Sequence, residues 1–395
     1  MRKHRFWLLG LLVGCLAAFH SLSVFLWAQN ERVFVHPGVF NTQQELDQIK
    51  RTIATDPGQP MSLYYNQMKQ WEGASHQYRH RPIEVVRVKA GGVVEDELRF
   101  RRDAQAAYAC ALQWVVTGDD RYMRKSKQIL NDWASTFVRM ETVGGQRTVD
   151  QLVVEAGWAT PIWVAPAEII RHYNRGSAKW DASEIARFSA FLDRLWEEFG
   201  KLYYGHLPER KVQYLCNWGT SAALSMISVA VFQDDPKRYR DGIAYWKEIM
   251  PLNVERNGEI YETCRDCYHP GYALSTLVQG AEIAYHQGDD LYGTVIDGQP
   301  KPRLWYGLEY RARRVMGLQI PDPICYGGYG NYQADCRSCQ QCWYENGWEI
   351  GVNHYQNRMD LRCQNATALL LKTRWKEFYF DEHFVAFGTL THGNR

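Results

Sequence analysis

Between Glu262 and Tyr272 the chain gathers two carboxylates, a guanidinium, an imidazole and two phenols within eleven residues, Glu262-Thr-Cys-Arg265-Asp266-Cys-Tyr-His269-Pro-Gly-Tyr272. Side chains of these types can divide the work of a proton-transfer reaction. His and Tyr exchange protons, carboxylates orient or protonate, and Arg stabilises an anion that develops on the way. The run lies directly before an apolar stripe at helical spacing, Leu274, Leu277, Val278 and Ala281. The polar groups therefore collect at a helix entrance, where free N–H groups and the helix dipole favour an anion. The plainer reading is an ion pair between Glu262 and Arg265 at the surface, with His269 satisfied inside a loop.

The elements that must position this segment read as helices. Ala104, Ala107, Tyr108, Ala111 and Val115 fall on one helical face, and Thr117-Gly118-Asp119-Asp120 ends it. A second stripe follows in Tyr122, Ser126, Ile129, Leu130, Trp133 and Phe137, then a helix near 150–173. Asp181 with Glu184 forms a capping-box pair ahead of Ile185, Phe188, Leu192, Leu195, Trp196 and Phe199. Asp235-Pro236 marks another start, a cap residue with Pro at the first helical position. Further helices are expected over 218–232, 237–250, 270–287, 304–316 and 365–376. Strand alternation is scarce. Antiparallel helix pairs on short turns, without a repeat of fixed length, point to an all-α chain. The expected architecture is an α/α toroid, an incomplete barrel of antiparallel helix hairpins, in a single domain over 29–395. A long loop rich in Gly, Tyr and Cys spans 320–348; a loop of that length in a compact domain is functional or stapled.

The composition narrows the function classes. Apolar residues are 46% and charged residues 23% of 395, an ordinary balance for a folded chain. Aromatic residues reach 14%, with 15 Trp and 24 Tyr, and rings beyond the needs of a core suit a cleft that stacks on sugars. The formal charge is only +2 and no Lys/Arg run forms a phosphate-tracking stripe, which argues against a nucleic-acid partner. Residues 1–28 begin with the basic Met1-Arg-Lys-His-Arg5 and continue apolar from Phe6 to Ala28. This is an export signal or an N-terminal membrane anchor, with Leu12-Val-Gly-Cys15 as a lipobox alternative, and the expected location is secreted, periplasmic or otherwise extracellular. Ten cysteines in an exported chain read first as disulfides. Cys264-x-x-Cys267 and Cys336-x-x-Cys339-x-x-Cys342 also have metal-ligand spacing, so a structural zinc site is the sharp alternative.

Several stretches resemble one known family. Arg265, followed seven residues later by Tyr272-Ala-Leu, resembles the Arg…Tyr element of alginate lyases with an α/α-toroid fold. Glu262, Arg265, Asp266 and His269, as Glu-x-x-Arg-Asp-x-x-His, resemble the wider group of secreted proteins that carry the alginate-lyase domain. So does Ala281-Glu-Ile-Ala-Tyr-His-Gln-Gly288-Asp-Asp-Leu-Tyr292. Phe34-Val-His-Pro-Gly38, Thr117-Gly-Asp with Ile129-Leu-Asn-Asp-Trp133, and Trp348-Glu-Ile-Gly-Val-Asn-His354-Tyr355-Gln-Asn-Arg358 extend the resemblance over nearly the whole chain after the leader.

The resemblance implies a β-elimination on an anionic polysaccharide containing uronate, without metal or other cofactor. It implies Arg265 and Asn217 as neutralisers of the uronate carboxylate, and Tyr272 or His269 as base and acid. Trp218, Glu262, His354, Tyr355 and Arg358 are the residues expected to bind substrate, Trp218 by stacking unless it simply packs in the core. One departure stands out. Alginate lyases carry Asn-His where this chain has Asn217-Trp218, a pairing that resembles the wider group instead. That leaves the base open between Tyr272 and His269, and the polymer open among alginate, glucuronan and related polyuronates. Two other classes remain: a glycoside hydrolase on the same toroid with Glu262 or Asp266 as general acid, or a non-catalytic glycan-binding surface protein. Asp103, Glu168 and Asp150 read as capping or interhelical partners, Asn365-Ala-Thr367 is a glycosylation sequon, and Arg79, His80 and Arg81 could line the path of an acidic substrate.

Overall fold

The computed structural model describes residues 32–89, 92, 94–144, 149–205, 216–325, 336, 347–374 and 387–393, with backbone only at 149 and 150. Residues 1–28 with Cys15, the side chain of Asp150, and Cys339 and Cys342 lie outside the described residues.

Thirteen α-helices of five residues or more carry the fold among the described residues: α1 Gln43–Thr55, α2 Pro60–Met68, α3 Glu95–Thr117, α4 Asp120–Thr136, α5 Val149–Gly176, α6 Ala182–Phe199, α7 Asn217–Phe232, α8 Pro236–Asn253, α9 His269–His286, α10 Arg303–Val315, α11 Gly347–Asn353, α12 Gln364–Thr373 and α13 Gly388–His392. Their boundaries follow local chemistry. Asp181 accepts from the Ser183 N–H while Glu184 reaches back to the Asp181 N–H, which starts α6. Asp235 takes the N–H groups of Lys237 and Arg238 ahead of Pro236-started α8. Gly118, at φ 70°, ends α3 in the left-handed conformation that glycine adopts without strain. Two pieces escaped the sequence pattern: helices α1 and α2, and a short parallel pair, β1 Val85–Val88 against β2 Arg139–Thr142, with Val86 opposite Met140.

The helices form two layers around a ring. On the inside α3 packs on α5, α5 on α7, α7 on α9 and α9 on α11, while α4, α6, α8 and α10 lie outside as the return arms of hairpins. Hydrophobicity explains who sits where. Every residue of α7 except Trp218 is buried, as suits a helix apolar or small on all sides, whereas α4 and α6 bury one stripe each. Close approach helps: a Cβ at Gly242 of α8 would stand 3.0 Å from Ile227 of α7. The α/α toroid is thus the fold observed, and the open side of its barrel is spanned by short pieces. α11 contacts α13, α13 contacts α1 and α2, and α1 contacts α3. No helix among the described residues is long and apolar enough to cross a membrane.

The cysteines pair across the fold. Cys264 bonds Cys325 and Cys267 bonds Cys336, at Cα separations of 5.3 and 5.4 Å. The zinc reading of Cys264-x-x-Cys267 is therefore overturned, since both sulfurs are used by disulfides. Cys110, Cys216 and Cys363 are buried and stand outside these two disulfides.

Candidate active site

The segment before α9 is held from three sides. Its two disulfides bracket Arg265 and Asp266 and fasten them to residues 325 and 336. From α10, Arg311 donates to the Cys267 carbonyl at 2.6 Å and Arg314 to the Thr263 carbonyl at 3.0 Å. Glu259 accepts from the backbone N–H groups of Ile324 and Cys325. A site built this way loses little entropy on ordering, because its backbone has few ways to move.

Inside that frame the charged groups interlock. Glu262 is fully buried and accepts from three donors: the backbone N–H of Asn217 at 3.0 Å, the Asn217 amide Nδ2 at 2.9 Å, and Arg265 Nη1 at 2.7 Å. Arg265 keeps about a third of its side chain exposed (34%) and also stands 3.5 Å from Asp266. Asp266 Oδ2 lies 2.5 Å from His269 Nδ1, and its other oxygen accepts the N–H groups of Tyr268 and His269 at 2.8 and 2.9 Å. Burial works to raise the Asp266 carboxyl, but the His269 bond, the charge of that ring and the two amides outweigh it and hold the group at about 2. The bond to Asp266 makes Nδ1 a proton carrier and leaves Nε2 as the nitrogen that, in the neutral ring, holds the lone pair of a base. Tyr272, one turn along α9, meets the His269 ring edge-on at 5.5 Å and Trp158 of α5 at 5.8 Å.

The structure thus brings together Asn217, Glu262, Arg265, His269 and Tyr272, with Trp218 beside Asn217 and packed partly against the core. It corrects the roles of several. Asn217, expected to meet a carboxylate on the substrate, is fully buried and spends its amide N–H groups on Glu262. Glu262, expected to bind substrate, lies beneath Arg265 with no exposed surface. His354, Tyr355 and Arg358 do not join the site at all. His354 and Tyr355 are buried, the Tyr355 hydroxyl donates to the Tyr292 carbonyl, and Arg358 is spent on Glu282 and Glu45 at 2.9 and 2.7 Å. Glu282 is thirteen residues along α9 from His269, roughly 20 Å at 1.5 Å per residue, too far for one sugar to touch both.

A second feature went only partly noticed in the sequence. An open pocket of about 520 Å³ at the entrance of α3 is lined by Tyr78, Arg79, Arg81, Arg99, Arg102 and Asp103 among others. Arg79 and Arg81 stood out as a basic run, but Arg99 and Arg102 join them only through the turn of the helix. His80 points elsewhere, to Asp132 at 2.7 Å. Asp103 and Glu168 are interhelical partners as expected: Asp103 takes the Tyr78 hydroxyl and the Trp133 indole N–H, and Glu168 takes the Gly38 N–H and His36.

Comparison with known proteins gives one consistent picture. The profile of the family described as alginate lyase matches residues 48–300. None of the curated proteins matches the sequence significantly. Among solved structures, alginate lyase A1-III from Sphingomonas species A1 is similar at a TM-score of 0.64 and 14% identity, over 92% of this chain and 98% of that one. An alginate lyase from Bacteroides ovatus is similar at a TM-score of 0.63 and 11% identity, over 91% and 100%. A variant of A1-III complexed with a tetrasaccharide is similar at 0.61 and 14%, over 88% and 93%. At such identities the likeness establishes the shared toroid.

Proposed function

The chain belongs to the alginate lyase family of polysaccharide lyases, and from that premise we propose that it cleaves a uronate-containing polysaccharide by β-elimination at the entrance of α9. The observation that carries the reading is the chain of contacts Asn217–Glu262–Arg265–Asp266–His269, fixed in place beside Tyr272. In β-elimination the C5–H bond of a uronate breaks, a C4–C5 double bond forms, and the C4–O bond to the neighbouring sugar breaks. The difficulty is the negative charge that gathers next to an existing carboxylate. Arg265 supplies the neutralising cation, and Glu262 with Asn217 fixes its position from below. His269, oriented by Asp266, takes the C5 proton on Nε2, and the Tyr272 hydroxyl protonates the departing oxygen. The Arg79, Arg81, Arg99 and Arg102 pocket supports an anionic polymer as substrate.

Hydrolysis fits these residues less well. A glycosidase needs one carboxyl group that stays protonated until it donates. Asp266 is held ionised down to about 2, and Glu262 is buried under three hydrogen bonds. The two disulfides also suit an oxidising compartment, which supports export by the leader.

The test is an assay of the purified protein on alginate, glucuronan and related polyuronates, followed by ultraviolet absorbance of the unsaturated product. New absorbance that tracks new reducing ends is the expected result. Reducing ends without absorbance would replace elimination with hydrolysis.

A further inference from the structure

At the other end of α9 stands a cluster that the proposed reaction does not use. Glu45 of α1 and Glu282 and His286 of α9 bring one oxygen each and a ring nitrogen to within 4.8 Å of one another. His286 Nδ1 lies 3.1 Å from the Gly38 carbonyl, which can only accept, so Nδ1 carries the proton. Nε2 then faces Glu45 Oε2 at 3.2 Å and Glu282 Oε1 at 3.3 Å, and it makes no hydrogen bond although the side chain is only 3% exposed. A bare lone pair aimed at two anions is repulsive, so the site calls for a positive charge at that point.

A proton or a metal ion could supply that charge, and the distances separate them. A charge-assisted N–H···O bond closes on one oxygen at about 2.7–2.9 Å. Here Nε2 stands back almost equally from two. Ligand atoms around a tetrahedral ion with bonds of about 2.0 Å are about 3.3 Å apart, which is the spacing of Nε2 from each of the two oxygens.

We propose that Glu45 Oε2, Glu282 Oε1 and His286 Nε2 are ligands of a structural divalent transition ion of the zinc type. The surroundings match the outer ring of such a site. The Gly38 carbonyl fixes the His286 tautomer, the Thr42 N–H holds Glu45 at 2.8 Å, and the Tyr292 hydroxyl holds Glu282 at 3.1 Å. Arg358 bridges the two carboxylates, from Nη2 to Glu45 Oε1 and from Nη1 to Glu282. His354 Nδ1 accepts from Arg358 at 3.0 Å, and His392 Nε2 stands 3.5 Å from Glu282 Oε1. The ion would tie α1 to α9 where the ring of inner helices closes, with the π-helical turn His354–Arg358 that follows α11 joined through Arg358 and α13 through His392. The other His and carboxylate cluster, His36, Glu168 and His172, does not compete. Its two imidazoles stack face to face at 4.1 Å rather than converging on one point.

The experiment measures metal content of the full-length purified protein by mass spectrometry, then melting temperature after chelation and after adding back Zn²⁺ alone. One ion per chain, lost on chelation with a drop in melting temperature and regained with zinc, is expected. H286Q and E45Q should hold less than about a tenth of an ion and ignore both treatments. Protein that neither carries an ion nor responds to zinc would overturn the proposal in favour of a protonated His286. So would an H286Q variant that keeps its ion. Where the variants do not fold, Co²⁺ in the folded wild type decides. An N/O-ligated tetrahedral spectrum supports the site, and a thiolate charge-transfer band moves the ion to cysteines and overturns it.

Discussion

The two ends of α9 carry similar residue types and are built for opposite ends. At the first turn, Glu262, Arg265, Asp266 and His269 leave an arginine a third exposed and an imidazole about a quarter exposed. At the last turn, Glu282 and His286 meet Glu45, His354, Arg358 and His392, and nearly all of that cluster is sealed from water. What differs is the source of the partners. The first cluster is made from residues close in sequence, with only Asn217 coming from a distant helix, so it needs little of the ring to exist. The second is assembled from four elements, Glu45 and Arg358 lying 313 residues apart, and it exists only when the ring is closed. Charges on a preorganised, open segment can act on a ligand. Charges sealed in a closure hold the fold together.

The sharpest way to break this comparison is at the first cluster. Removing Arg265 (Arg265→Ala) should lower kcat/KM on the best polyuronate by about 10²–10³-fold, the usual cost of losing a preorganised stabiliser of developing charge. His269→Ala should cost about 10²–10⁴-fold, as for a lost general base. Tyr272→Phe should lower kcat with KM held, since it removes only a proton donor. The melting temperature should barely move in His269→Ala and Tyr272→Phe, whereas Arg265→Ala also leaves the buried Glu262 carboxylate without its cation and should lower it. Full turnover in both His269→Ala and Tyr272→Phe would dismiss the assignment of base and acid.

Glu282→Gln is the mirror experiment. Burial works to protonate Glu282, but the neighbouring His286, His354 and His392 outweigh it and keep it ionised well below its usual range. Removing one member of a buried charge network leaves the others uncompensated, a loss of about 3–5 kcal/mol. Urea denaturation should show that loss, while turnover per folded molecule stays near wild type. A fully stable Glu282→Gln would remove the structural half of the contrast.

Glu262→Gln tests the border between the two kinds of cluster. This carboxylate is as buried as Glu282 but serves the open site. The substitution puts an amide N–H where donors from Asn217 and Arg265 already point, at a cost of about 1–3 kcal/mol. Turnover should fall with it, as Arg265 loses its anchor. If Glu262→Gln lowers stability while kcat/KM is unchanged, Arg265 is positioned by Asp266 alone.

The same contrast explains what could be read in the sequence. Glu262 to Tyr272 was legible because its chemistry is local: polar residues crowd a helix entrance, and α9 begins within one residue of its expected start. The hairpin helices were legible from their stripes and caps, Asp181 and Asp235 among them. His354, Tyr355 and Arg358 were misplaced for the converse reason. A His-Tyr pair near an Arg looks the same whether it faces a cleft or a buried Glu282, and periodicity does not say which carboxylate lies across the ring. Disulfides were expected from the cysteine count. Their partners at 325 and 336 lie 61 and 69 residues along the chain, a pairing that no spacing encodes.

The smallest effect expected lies at His36, beside the ring closure but nearer water. Burial pulls its pKa down, yet bonds from Asp234 and Glu168 prevail and raise it to about 9. A raised histidine stabilises the fold fully below its unfolded value near 6.5 and loses that contribution as pH climbs through about 9. Asp234 is about half exposed (48%), so screening leaves an effect of about 1–2 kcal/mol. The wild-type melting temperature should therefore decline between about pH 6.5 and 9, with a slope that His36→Gln lacks. Should His36→Gln keep the whole alkaline slope, the titrating group sits elsewhere. The grip of the N-terminal segment on the ring would then come from its Gln287 and Gly38 contacts rather than from charge.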